Sequence, residues 1–127
     1  MGLIDSIKGL FEKKDFPTKL AEWCEAQNSP RIAKYTELGN EQDVRLLAID
    51  ALSKIQRDEH AVNVCMKLLR EDDEEVRKAA CKSLKKIGTK REVDQIYRIE
   101  EEEQDEKMKQ LLIETALSCK ERTPRFL

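Results

Sequence analysis

The sequence predicts an all-α fold: a short right-handed α-α superhelix, a solenoid of antiparallel helix pairs with a period of about 32 residues. Three observations lead there. Stepping by that period from Val44 reaches Val76 and Met108, and other registers carry Ala48, Ala80 and Leu112, then Leu52, Leu84 and Ala116, then Ile55, Ile87 and Cys119. Within each period, two runs place apolar residues on the three- and four-residue steps of one helix face. Composition agrees. Of 127 residues, 39% are apolar, 39% charged and only 5% aromatic, which suits one extended core packed through Ala, Leu, Ile and Val. Such a repeat cannot bury its apolar face alone and must stack on its neighbours. Residues 1–127 therefore read as a single domain.

The first element, residues 2–14, is amphipathic, with Leu3, Ile4, Ile7, Leu10 and Phe11 on one stripe and Asp5, Lys8, Glu12, Lys13 and Lys14 around the rest. It is expected to cap the open flank of the first repeat. Peripheral membrane contact through the same residues is the alternative, weakened by the short length and mixed charge. Met1-Gly2 with Ser6 also matches the loose N-myristoylation pattern.

Residues 16–38 form a degenerate repeat, because Phe16, Leu20 and Trp23 stand one period before Ala48, Leu52 and Ile55. Pro17 marks its first helical position, where the missing amide is tolerated. Residues 41–71 are a full unit. Its first helix, over 41–56, turns Val44, Leu47, Ala48, Ala51, Leu52 and Ile55 inward, and its second, over 60–70, does the same with Val62, Cys65, Met66 and Leu69. Residues 73–103 repeat the plan. Asp73 and Glu74 suit a helix start, Gly88 stands where a left-handed stop falls, and Val93, Ile96, Tyr97 and Ile99 line the second helix. Residues 104–121 supply one more first helix, a half-repeat that caps the stack. Phe126 and Leu127 follow on a short tail that equally suits docking on a neighbouring copy, so homodimerisation stays open.

The segment DEEVRKAACKSLKKIGTKREV, residues 73–93, resembles the short HEAT-like repeats first associated with phycobilisome lyases. Its acidic start, Val76-Arg77, the small residues Ala79 and Ala80, Leu84 and Ile87-Gly88 occupy that family's motif positions. EQDVRLLAIDALSKI, from Glu41, repeats them less perfectly. The resemblance covers residues 41–121 well and the first forty poorly. It departs from the pattern in lacking the proline near the start of each unit and the glycine after Ile55, where Gln56 stands.

Chemistry finds little footing. Cys24, Cys65, Cys81 and Cys119 lack metal-ligand spacing, and most occupy registers held elsewhere by aliphatic residues, so they read as buried thiols in a reducing compartment. His60 is the sole histidine and belongs at an exposed helix start, which leaves no metal cage and no visible nucleophile-base pair. Glu100 to Glu103, with Asp105 and Glu106, reads as solvated linker. No cofactor is implied. A net charge of −2 argues against a generic grip on nucleic acid, and the absence of a leader-like or membrane-spanning apolar run points to the cytoplasm.

Two function classes follow. The first is a non-catalytic protein-protein interaction or scaffold module. Its second helices would present Arg31, Lys34, Asn63, Lys67, Arg70, Gln95 and Arg98 to a partner protein or peptide of acidic character. The second, implied only by the resemblance, is an accessory subunit or divergent member of a HEAT-like enzyme family, bilin lyase-like or DNA glycosylase-like.

Overall fold

The computed structural model describes residues 15–124. The expected cap over 2–14, the acylation pattern at Gly2 and the Phe126-Leu127 tail therefore lie outside the described residues. Among the described residues there are seven α-helices and no strand. The degenerate repeat gives α1 (Phe16–Glu25) and a short α2 (Ser29–Ala33) continued by a 3-10 turn at Lys34–Thr36. The next unit gives α3 (Gln42–Leu52) and α4 (Glu59–Leu68). After it come α5 (Glu74–Ile87), a 3-10 turn at Lys90–Glu92, α6 (Val93–Glu102) and α7 (Glu106–Cys119).

Local chemistry sets the ends of these helices. Pro17 sits in the first turn of α1, where no intrahelical amide is needed. Asn28, Asp58 and Asp73 each accept a backbone amide with the side chain, starting α2, α4 and α5. Thr89 and Glu92 form a reciprocal capping box before α6. The first helix of the 41–71 unit is shorter than its apolar pattern implies. After Leu52 the amides of Ser53, Lys54 and Ile55 bond three residues back rather than four, and this tightened turn still buries Ile55.

Gly88 corrects an expectation. It is extended, with φ −67° and ψ 157°, so no left-handed stop lies there. Its lack of a side chain serves close approach, since a Cβ would stand 2.4 Å from Cys119 Sγ and 2.7 Å from the Leu84 carbonyl oxygen. Left-handed residues stand instead in the connections after the two earlier first helices, Gln27 at φ 53° and Arg57 at φ 58°.

One apolar core runs through the stack. The repeating registers fill it: Val44, Val76 and Met108, Ala48, Ala80 and Leu112, and Leu52, Leu84 and Ala116 are all buried. Successive first helices stack, α1 on α3, α3 on α5 and α5 on α7, while each second helix packs closely on the first helix that follows it: α2 on α3, α4 on α5 and α6 on α7. The tightest helix pairs therefore straddle the boundaries of the sequence repeat, and α7 completes a pair with α6. Trp23 and Tyr97 are half-buried rather than core, and Leu47, expected inward, is 43% exposed.

A polar ladder accompanies the core. Arg45 is 4% exposed, donates through Nε to the Thr36 carbonyl at 2.7 Å and pairs with Glu71. One period later Arg77 pairs with Glu103, and one further Lys109 reaches Glu100 at 3.1 Å. Glu100 and Glu103 are thus structural counter-ions within the acidic run, not solvated linker. Glu103 also accepts the amides of Gln104 and Asp105 just ahead of α7. The end of α5 is closed from the same later unit: Arg122 donates to the carbonyls of Leu84, Lys85 and Gly88, and Ser118 to that of Lys85.

Candidate interaction surfaces

All seven residues expected to form a binding row are exposed. Arg31 lies in the middle of α2, 5.0 Å over the ring of Trp23, which stacks on Tyr35 at 5.6 Å and 12°. Lys34 follows on the 3-10 turn. Asn63 and Lys67 project from α4, Arg70 from the turn just after it, and Gln95 and Arg98 from α6. The structure brings acidic neighbours to the same side. Glu59 of α4 receives Arg91 at 2.7 Å, and Glu102 of α6 lies 3.9 Å from Arg70, a pair too exposed on both sides to hold either group tightly. The row is therefore mixed in charge, with its cations concentrated at Lys67, Arg70 and Arg98.

Reading the sequence missed a second surface, on the first helices. A groove of about 700 Å³ runs across α3, α5 and α7, floored by Leu46, Ala79 and Leu111. One wall is α5, which lines it with Lys78, Lys82, Lys85 and Lys86, and Asp50 and Glu75 are the acids on its lining. A smaller adjoining cavity of about 300 Å³ shares Asp50 and takes in Leu47. A signal was present. Leu47, Ala79 and Leu111 are one register, small or apolar in the last three units, and it is the outward counterpart of the core registers.

His60 is exposed at the start of α4, and among the described residues no group of three His, Cys, Asp or Glu is placed to hold a metal ion. Burial pushes the Cys65 thiol up to about 12 and the Cys81 and Cys119 thiols up to about 11, so thiolate is scarce near neutral pH. Half-buried Cys24 shifts the same way, chiefly through burial.

The recurring helix pairs, the shared core and the repeated Arg-Glu ladder are the marks of a repeat array. The family model for HEAT repeats matches residues 29–116. The chain belongs to the HEAT repeat family. The match begins at α2 and ends within α7, so it takes in α2–α3, α4–α5 and most of α6–α7 and leaves out all of α1. No curated protein and no solved structure matches this HEAT-repeat chain. Among the described residues, no helix is long and apolar enough to cross a membrane.

Proposed function

We propose that this HEAT-repeat chain is a non-catalytic protein-binding or scaffold module of the cytoplasm, and that its second-helix face engages an acidic protein or peptide. Membership of a family whose repeats generally serve protein interaction supports the class of function. The observation that carries the surface is the exposure of all seven row residues, Arg31, Lys34, Asn63, Lys67, Arg70, Gln95 and Arg98, on consecutive units of one stack. A stacked array presents like side chains at regular intervals, which suits an extended partner held by arginine and lysine and released by salt. Enzymatic readings draw no comparable support, because the one histidine faces solvent and the thiols are held protonated.

The test is a comparison of pull-downs using the native protein and the Lys67→Glu, Arg70→Glu, Arg98→Glu variant at low and moderate salt. Partner capture is expected to disappear while helical content and unfolding midpoint stay nearly unchanged, since solvated surface substitutions usually shift stability by about 0.5 kcal/mol. Retention of the same partners by the substituted protein would remove the row from the binding site.

A further inference from the structure

The groove across α3, α5 and α7 has a composition that ordinary solvated surface lacks. Its floor is apolar and continuous, with Leu46 from α3, Ala79 from α5 and Leu111 from α7 half-buried side by side. Its α5 wall is lysine at each step: Lys78, Lys82, Lys85 and Lys86 follow the four-, three- and one-residue spacings that keep them on one side of a helix. Two of the four are already paired. Lys78 lies 3.5 Å from both Glu74 and Glu75, and Lys85 lies 3.3 Å from Glu114. Lys82 and Lys86 are exposed and make no ion pair among the described residues. From Glu75 to Lys86 the lined part of α5 is roughly 16 Å long, the rise of about eleven helical residues.

We propose that this groove docks an amphipathic helix of a partner protein, with its apolar stripe on Leu46, Ala79 and Leu111 and a flank of carboxylates along Lys82 and Lys86. Charge complementarity selects the occupant. The groove carries four lysines against Asp50 and Glu75, and Lys82 and Lys86, which make no ion pair among the described residues, lie on the same wall, so a helix acidic on one side gains where a neutral or basic one does not. The floor selects the helix. Apolar contacts three and four residues apart on the incoming chain match a shallow trough between parallel helices. Nucleic acid fits poorly: among the described residues no aromatic side chain lines the groove for bases to stack on, and Asp50 and Glu75 oppose a phosphate backbone. The proposal rests on the protein-binding reading of this chain but uses none of the second-helix row.

The experiment uses the full chain and a fluorescein-labelled synthetic 16-residue helix with leucines at three- and four-residue steps and glutamates along one side. A glutamine version and a single-stranded oligothymidylate of equal length are the controls. The glutamate peptide is expected to saturate in fluorescence anisotropy, to weaken with salt and to shift backbone amide resonances of α3, α5 and α7. The glutamine peptide should bind about tenfold more weakly, and Lys82→Glu with Lys86→Glu should weaken the glutamate peptide by about the same factor. Ala79→Gln, which fills the floor without changing charge, should also lower affinity, while Lys67→Glu with Arg70→Glu should leave it unchanged. Absence of saturation, resonance shifts confined to α4 and α6, or equal binding of the glutamine peptide or the oligonucleotide would overturn the groove as an acidic-helix site. None of those outcomes decides whether partners are captured through Lys67, Arg70 and Arg98, which the pull-down reads separately.

Discussion

Gly88 has no room for a methyl group, because the Cys119 thiol and the Leu84 carbonyl both lie within 3 Å of where a Cβ would stand. Its backbone is one that any residue adopts, so the cost of substitution is steric. Gly88→Ala is expected to destabilise by about 1 to 3 kcal/mol, the range for forcing atoms into packed space. Urea unfolding checks it, and a loss under about 0.5 kcal/mol would mean the end of α7 simply moves aside. Leu84 tests the core at the same scale. It is fully buried in the middle of the stack, so Leu84→Ala should cost about 2 to 5 kcal/mol, the range for truncated core leucines.

The start of α5 concentrates the element-scale electrostatics. Asp73 accepts the amides of Glu75 and Val76, and Gln42 of α3 donates to both its carboxylate oxygens at 3.0 Å. The Gln42 hydrogen bonds, aided by those amides and by Arg45, hold the carboxyl below the usual aspartate range. A carboxyl lowered in the native state adds stability above its ordinary pKa near about 3.9, and that contribution is lost as pH falls through the lowered native value. Asp73→Ala should therefore cost about 1 kcal/mol at neutral pH, as other helix caps do, and the gap between native and variant should close in acid. Parallel thermal unfolding at neutral and acid pH measures it. A gap that persists in acid would assign the loss to helix propensity rather than to the charged cap.

For the whole molecule, units are joined by polar links as well as by the core. Arg45 spans from α3 to Thr36 of the preceding unit and to Glu71 after α4; farther along, Arg77 ties α5 to Glu103 within its own unit, and Lys109 reaches back from α7 to Glu100 of the unit before. Removing Arg45 leaves the Thr36 carbonyl and Glu71 without their donor. Arg45→Ala is expected to lose about 2 to 3 kcal/mol, below the full cost for a wholly buried pair because Glu71 keeps partial access to water. Chemical denaturation of the variant checks this, and a loss within about 0.5 kcal/mol would make the ladder decorative.

The period, the helix faces, the core registers and the capping acid at Asp73 are legible in the chain, because each rests on local chemistry or on a spacing that side-chain direction converts into a face. Arg45, Arg77 and Lys109 are visible as a register too, but not as counter-ions. Their carboxylates, Glu71 and Glu103 at helix ends and Glu100 in the last turn of α6, come near only on folding, and for the same reason Glu100 and Glu103 read as linker until Lys109 and Arg77 are seen beside them. Leu47 belongs to the apolar face by spacing alone, yet stacking covers one arc of each first helix and leaves Leu47 exposed on the lining of the smaller cavity. Gly88 suggests a left-handed turn from its position, whereas the constraint comes from α7, about thirty residues later. Periodicity thus determines that this is a stack. Which helices pair most closely, and which apolar residues remain outside the core, depend on distances between units that no single unit encodes.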